Sequence, residues 1–276
     1  MLALVGGAIA IGLAPILVRW SEVGPNATAF WRLLLAVPAL WLLARAAGAR
    51  VLPRRDGGVL AFAGLCFALD LCFWHASIAL TTVANATLLA NLTPVIVVLW
   101  CWLARRQRPT GSFAAGALLA LAGAAGLSLA GQSLEGSDLL GDVYGVLTAC
   151  AYAGYLLAVE RARGSAAGLT VMLASTTVAA LITGGVALAT GEVFWPGSGR
   201  GWLVLAGLAL LVHVVGQGGI VWAVGQLPAA LSSVVILIQP VVAAVLGWWW
   251  LGERLGPLAI LSGGLVLAGV LLARRR

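Results

Sequence analysis

The chain has 276 residues, of which 62% are hydrophobic and 9% are charged, whereas about a quarter of the residues in soluble domains are charged. This composition excludes a soluble globular protein, because too few polar side chains remain to cover its surface. The net charge of +7 does not indicate a nucleic-acid partner, because the basic residues lie at the ends of apolar segments and not on one soluble face.

Apolar segments follow one another along the chain, and crossing a bilayer takes about 20 such residues. The sequence therefore predicts an all-α membrane protein with ten transmembrane helices, in contact with the lipid bilayer and without a separate soluble domain. The predicted spans are residues 2–18, 26–44, 58–80, 83–103, 111–130, 142–159, 168–190, 202–225, 229–251 and 256–273. Glycine-rich stretches at 116–131 and 263–269 predict close packing between helices.

Arginine distribution predicts the orientation, because cytoplasmic loops of membrane proteins carry an excess of basic residues. If both termini are cytoplasmic, Arg19, Arg200 and Arg254 lie on the outer side. Twelve arginines then lie on the cytoplasmic side: Arg45, Arg50, Arg54, Arg55, Arg105, Arg106, Arg108, Arg161, Arg163, Arg274, Arg275 and Arg276. The sequence therefore predicts cytoplasmic N and C termini.

An internal repeat relates the two halves of the chain. The segment NATLLANLTPVIVVLWCWLARRQRPTG at 85–111 is similar to LSSVVILIQPVVAAVLGWWWLGERLGP at 231–257, and Pro94 aligns with Pro240. Residues 1–130 and 140–276 are therefore predicted to be two copies of five helices each. Because five is odd, the second copy must be inverted in the membrane, as in many secondary transporters.

Four motifs carry a resemblance to a known family: FWRLLLAVPAL at 30–40, VANATLLANLTPV at 83–95, LSSVVILIQPV at 231–241 and GERLG at 252–256. These residues resemble the EamA-type branch of the drug/metabolite transporter superfamily. The resemblance implies a bacterial inner-membrane secondary transporter that exports its substrate by alternating access through a central cavity. It also implies a small-molecule substrate, such as a hydrophobic or aromatic amino acid, another metabolite or a hydrophobic drug. We expect a monomer that needs no cofactor or metal.

Charged side chains inside the membrane are costly unless they face a cavity or a partner. Arg32 either reaches the outer surface in a structural role or lines the transport path. Asp70 is predicted near the midplane and aligns with His213 through Gly64 and Gly207 of the repeats. A role in proton coupling for Asp70 and His213 is one interpretation. The alternative is that His213 is a neutral, hydrogen-bonded core residue.

Polar and aromatic residues recur on the predicted helices near two prolines. Pro94 and Pro240 are predicted helix kinks, because proline frees the carbonyl four residues earlier. Kinks at matching points of two repeats indicate a binding site between them. The predicted substrate cavity is lined by Pro15, Trp74, His75, Asn91, Tyr152, Tyr155, His213, Gln217 and Gln239.

An intramembrane enzyme and a channel are the alternatives to a carrier. An intramembrane enzyme would need a nucleophile with a base or a metal cluster, and the sequence contains no HExxH, GxSxG or carboxylate-rich motif. A channel shares apolar helices with a carrier, but the inverted repeat favours the carrier.

Overall fold

Helices account for every regular element in the part of the chain that the computed structural model describes, which is residues 1–50, 56–80, 83–130, 138–252 and 256–274. In chain order they are α1 (Leu2–Gly12 and Ala14–Arg19), α2 (Pro25–Ala46), α3 (Gly57–Leu80), α4 (Val83–Ala90 and Thr93–Leu103), α5 (Gly111–Leu129), α6 (Leu139–Arg163), α7 (Gly168–Ala189), α8 (Gly199–Gly207, Leu208–Gln217 and Gly218–Val224), α9 (Ala229–Ile236 and Ile238–Leu251) and α10 (Pro257–Ala273).

Nine of the helices in these ranges, α1 to α9, contain a stretch long and apolar enough to cross a membrane. The prediction of an all-α, multi-pass membrane protein is thereby confirmed. Helix α10 is apolar but has 17 residues, so its passage through the bilayer stays a prediction. Several predicted loop charges lie outside the described residues: Arg54, Arg55, Glu135, Glu253, Arg254, Arg275 and Arg276.

Four of these helices are interrupted within their length. Helices α1, α4 and α9 break just before Pro15, Pro94 and Pro240, since proline cannot donate the backbone hydrogen bond that a continuous helix needs. In α4, the Thr93 hydroxyl donates to the Ala90 carbonyl at 2.9 Å and satisfies the acceptor that Pro94 leaves free. Helix α8 contains no proline, yet its middle ten residues, Leu208–Gln217, form a π-helix.

The two halves of the chain pack in matching pairs. Helix α1 packs against α8 and α9, and α6 packs against α3 and α4. Helix α2 packs against α7 and α8, and α7 in turn packs against α2 and α3. When α1 to α5 are exchanged with α6 to α10, each of these contacts has its counterpart. Helices α5 and α10 pack against each other.

Glycines allow α5 and α10 to approach backbone to backbone. A Cβ atom on Gly116 would lie 2.6 Å from the Gly269 carbonyl oxygen, and one on Gly123 would lie 2.6 Å from the Val266 amide nitrogen. Such contacts leave no room for a side chain, so small residues are required at these positions. The glycine-rich stretches therefore serve close helix packing, as predicted.

Candidate functional site

Polar side chains from four helices meet inside the bundle, and we call them the central cluster. It consists of Arg32 on α2, Asp70 on α3, Tyr152 and Tyr155 on α6, and His213 and Gln217 on α8. The Arg32 guanidinium interacts electrostatically with the Asp70 carboxyl group. Arg32 is 8% exposed, so this side chain faces the cluster and does not reach the surface.

The π-helix in α8 places His213 and Gln217 in the cluster. Both side chains are buried, with 1% and 2% of their surface exposed. The His213 ring nitrogen Nε2 lies 2.8 Å from the Thr176 hydroxyl of α7. Gln217 lies beside the hydroxyl groups of Tyr152 and Tyr155. A π-helical turn inside an α-helix is rare and is found frequently at functional sites.

A column of aromatic rings joins α3, α6 and α8. Phe67 stacks on Tyr155 with ring centroids 4.9 Å apart and on His213 with centroids 5.5 Å apart. Tyr155 in turn stacks on Tyr152 at 5.8 Å. Phe67 precedes Asp70 by three residues and therefore shares its face of α3. The cluster thus has an aromatic wall beside its charged and polar groups.

Several polar atoms of the cluster are buried without a hydrogen-bond partner among the described residues. They are Arg32 Nε, Tyr155 Oη, His213 Nδ1 and Gln217 Nε2. More than nine in ten buried polar atoms in folded proteins have a partner, and an unsatisfied one costs about 1–3 kcal/mol. These unsatisfied donors and acceptors make the central cluster a candidate site for a polar ligand.

The remaining residues of the predicted cavity differ in burial and surroundings. Trp74 is half-buried, with its ring centroid 5.3 Å from that of His75. Asn91 lies at the break in α4, and its Nδ2 is buried without a partner in the described ranges. Gln239 is half-buried on α9, where its backbone carbonyl faces Gly12 of α1. Pro15 is exposed on α1.

A separate cavity lies where α2 and α6 begin and α3 and α7 end. Its volume is about 350 Å³, and we call it the Glu192 cavity. It is lined by Pro25, Asn26, Cys72, Phe73, His75, Ala76, Ala79, Tyr144, Val186, Thr190 and Glu192. Of the nine residues predicted to line the substrate cavity, His75 lines this one.

The Glu192 carboxylate ties the loop after α7 to the beginning of α2. Its Oε1 accepts a hydrogen bond from Asn26 Nδ2 at 2.7 Å, and its Oε2 accepts one from the Ala27 amide at 3.0 Å. An amide in the first turn of a helix has no partner within the helix, so the carboxylate caps α2. Glu192 is therefore fixed at the rim of the cavity.

A second carboxylate joins three helix ends at the opposite end of α6. Glu160 Oε1 accepts a hydrogen bond from the Ala229 amide at the beginning of α9, at 2.8 Å. Its Oε2 accepts one from the Arg105 guanidinium just after α4. This hydrogen bond raises the pKa of Arg105.

Comparison with known proteins identifies the family. The profile of the EamA-like transporter family matches the chain twice, at residues 1–129 and 139–275. The chain belongs to this family. The EamA-like transporter is 30% identical over 263 residues to a Streptantibioticus cattleyicolor protein named "Probable terminal-alkyne amino-acid exporter". The alignment covers 89% of this chain and 82% of that protein. It is therefore a membrane transporter and not an enzyme.

A solved structure has the same fold. It superposes with a TM-score of 0.86 at 18% sequence identity, over 99% of the transporter and 96% of the other chain, and is described as "Crystal structure of protein". At this identity the likeness concerns the fold alone.

Sequence reasoning missed three residues of these sites. Phe67 could have been found, because it lies on the same face of α3 as Asp70. Thr176 gave no signal, since it is one of three consecutive hydroxyl residues on α7. Glu192 gave none either, because it lies in a loop and looks like any other loop acid.

Proposed function

We propose that this EamA-like transporter exports hydrophobic or aromatic amino acids, or similar small amphipathic metabolites, across a bacterial inner membrane by alternating access. The observation that carries the proposal is the central cluster, where four polar atoms are buried without partners among the described residues, beside a column of stacked rings. Polar groups at fixed positions within an apolar and aromatic wall are typical of small-molecule sites.

The chemistry of the cluster suits an amino acid. A guanidinium group such as that of Arg32 binds carboxylates, and the amide and hydroxyl groups of Gln217 and Tyr155 can bind polar backbone atoms. The rings of Phe67, Tyr152 and Tyr155 offer a surface for an apolar side chain. The name of the Streptantibioticus cattleyicolor relative also supports an amino-acid substrate.

Alternating access requires two halves that can move relative to each other about the site. We propose that residues 1–130 and 140–276 are inverted five-helix repeats, with α10 as the tenth span and both termini cytoplasmic. The matching contacts of α1 with α8 and of α6 with α3 support this arrangement. So do the two separate matches to the family profile.

Counterflow in proteoliposomes tests the transport proposal. Vesicles loaded with unlabelled phenylalanine should accumulate labelled phenylalanine in a saturable manner, and other hydrophobic amino acids should compete. Alanine substitution of Trp74, Tyr152 or Gln217 should lower the rate, whereas Thr148→Val should not, because the Thr148 hydroxyl donates within its own helix to the Tyr144 carbonyl. An unsaturable flux would indicate a channel, and competition by hydrophobic drugs alone would indicate a drug exporter.

We further propose that Asp70 and His213 couple transport to protons. Asp70 faces Arg32, and His213 contacts Thr176 and Phe67, with Tyr152 and Tyr155 on the neighbouring helix. Protonation of either group would change the charge balance around Arg32, and this change could bias the two conformations of the carrier. Counterflow measured across the neutral pH range should lose its pH dependence in Asp70→Asn and His213→Ala. A normal pH profile in both variants would remove this role.

A further inference from the structure

The Glu192 cavity is lined by hydrogen-bond acceptors beside groups that can also donate, such as the Tyr144 and Thr190 hydroxyls. Glu192 contributes a carboxylate, and Asn26 contributes Oδ1, which is buried without a partner among the described residues. The Asn26 amide orientation is fixed, because Nδ2 donates to Glu192. His75 is 8% exposed and also lines the cavity, and its buried Nδ1 has no partner in the described chain. That nitrogen accepts a hydrogen bond in the tautomer protonated at Nε2.

An aromatic wall stands beside these acceptors. Phe73 and Tyr144 stack with ring centroids 5.8 Å apart and planes inclined by 15°. Most of the other lining side chains are small and apolar, including Ala76, Ala79 and Val186. Aromatic faces attract cations as well as apolar groups, so a wall of this kind suits a ligand that combines both.

Charge also favours a cation at the Glu192 end of the cavity. Glu192 interacts electrostatically with Cys72, which lies on the cavity wall. Arg32 does not line the cavity but interacts electrostatically with His75. A cation that entered would be attracted by Glu192 and repelled by Arg32, so its preferred position is beside the carboxylate.

We propose that the Glu192 cavity binds the ammonium group of an amphipathic amine, with the apolar part of the ligand against Phe73 and Tyr144. A carboxylate such as that of Glu192 accepts charge-assisted hydrogen bonds from an ammonium group. The volume of about 350 Å³ lies at the lower end of ligand pockets, which suits a small arylalkylamine. That this amine is part of the transported substrate rests on the proposed function, but binding itself does not.

Isothermal titration of the purified full-length protein tests the proposal with two probes of the same shape, phenethylamine and phenethyl alcohol. Near neutral pH the wild-type protein should bind the amine about tenfold more tightly than the alcohol, because the amine alone is charged. Glu192→Gln keeps an oxygen that can accept from the Ala27 amide but loses the charge. It should lower the affinity for the amine about tenfold and leave that for the alcohol unchanged.

Glu22→Gln is the matched control. Glu22 likewise accepts a backbone hydrogen bond, from the Ser198 amide just before α8, but it does not line the cavity. It should leave both affinities unchanged. Should Glu192→Gln fail to fold, Phe73→Leu tests the same site. Loss of the aromatic wall should lower the affinity for both probes.

Three results would overturn the proposal: equal affinity of the wild-type protein for both probes, binding of neither, or an equal loss for the amine in Glu22→Gln and Glu192→Gln. Phenylalanine counterflow, measured in parallel, separates this proposal from the proposed function. Amine preference without counterflow would leave the cavity as a binding site and reject the proposed export of amino acids such as phenylalanine. Counterflow without amine preference would reject the cavity and leave the carrier.

Discussion

The α5–α10 interface and the central cluster differ in what fills the space between their helices. Between α5 and α10, the backbones meet at Gly116, Gly123 and Gly269, so hardly any side-chain atoms separate them. In the central cluster, large aromatic and polar side chains such as Tyr155 and Gln217 fill the space. Several of their polar atoms have no described partner. The α5–α10 interface is thus closely packed backbone, whereas the central cluster contains polar atoms whose hydrogen bonds are not satisfied.

This difference indicates which region is structural and which is functional. Close backbone contact in lipid gains van der Waals attraction and is lost with any added atom, so it favours one fixed arrangement. Buried polar atoms without partners cost stability, and they persist where a function requires them. The contrast therefore predicts opposite results for substitutions in the two regions.

The largest expected effect is on stability, at the α5–α10 interface. A Cβ atom on Gly269 would lie 2.6 Å from the Gly116 carbonyl oxygen and 2.8 Å from the Ala120 Cα atom. Gly269→Ala should therefore force the helices apart and destabilise the protein by about 1–3 kcal/mol. Thermal unfolding in detergent would show this as a lower midpoint.

The same helix supplies the control for Gly269→Ala. A Cβ atom on Gly264 would have nothing within 4 Å. Gly264→Ala should be neutral or raise stability by up to about 1 kcal/mol, because alanine loses less backbone entropy than glycine in a helix. If both substitutions lowered the midpoint equally, the close contact between α5 and α10 would not be the cause.

The next effect is on transport, at the central cluster. Tyr155→Phe removes a hydroxyl group that is buried without a described partner, so the folded protein should be as stable as the wild type or slightly more stable. If this hydroxyl binds the substrate, the KM for phenylalanine counterflow should rise about tenfold, which is the loss expected for one hydrogen bond. Thr148→Val on the same helix should change neither quantity, since its hydroxyl donates within the helix.

A loss of stability in Tyr155→Phe with unchanged KM would contradict the view that the central cluster is functional and not structural. It would mean that the Tyr155 hydroxyl supports the fold, as a contact with Gln217 could do, and that the central cluster is packed as completely as the α5–α10 interface. The two readouts must therefore be measured on the same preparation.

The helices could be predicted from the sequence because hydropathy and length determine where a chain can cross lipid. The seventh span was predicted at 168–190 and α7 is Gly168–Ala189. The π-helix in α8 could not be predicted, because Leu208–Gln217 is uniformly apolar around His213 and contains no proline. This segment packs against α1 and α2, contacts that the sequence does not reveal.

Hydrogen-bond partners on neighbouring helices also could not be predicted from the sequence. Ser175, Thr176 and Thr177 are consecutive, and the hydroxyl groups of Ser175 and Thr177 donate to carbonyls of their own helix. Only the packing of α7 decides that Thr176 meets His213. Glu192 and Glu22 are both loop acids at the same end of the bundle, and the geometry around each, not its sequence context, distinguishes the one that lines a cavity.

The smallest expected effect is at Glu160, whose carboxylate has hydrogen-bond partners but is partly exposed. Its carboxylate joins α6 to Arg105 after α4 and to the beginning of α9, and the Glu160 and Arg105 side chains are 21% and 34% exposed. Glu160→Gln keeps an acceptor for the Ala229 amide and loses the ion pair. Because exposed ion pairs contribute about 0.2–1 kcal/mol, the midpoint of thermal unfolding should fall only slightly.

The dependence of thermal unfolding on ionic strength tests whether the Glu160 contact is a weak, exposed ion pair. The small difference between wild type and Glu160→Gln should disappear at high ionic strength, because salt screens exposed charges. Glu22→Gln should show no such salt dependence, since Glu22 accepts from the neutral Ser198 amide and hydroxyl. A weak contact of this kind is compatible with the alternating access that we propose, whereas a strong one would oppose relative movement of α4, α6 and α9. A loss well above about 1 kcal/mol that persists in salt would instead mean that the Glu160 contact is a strong structural one.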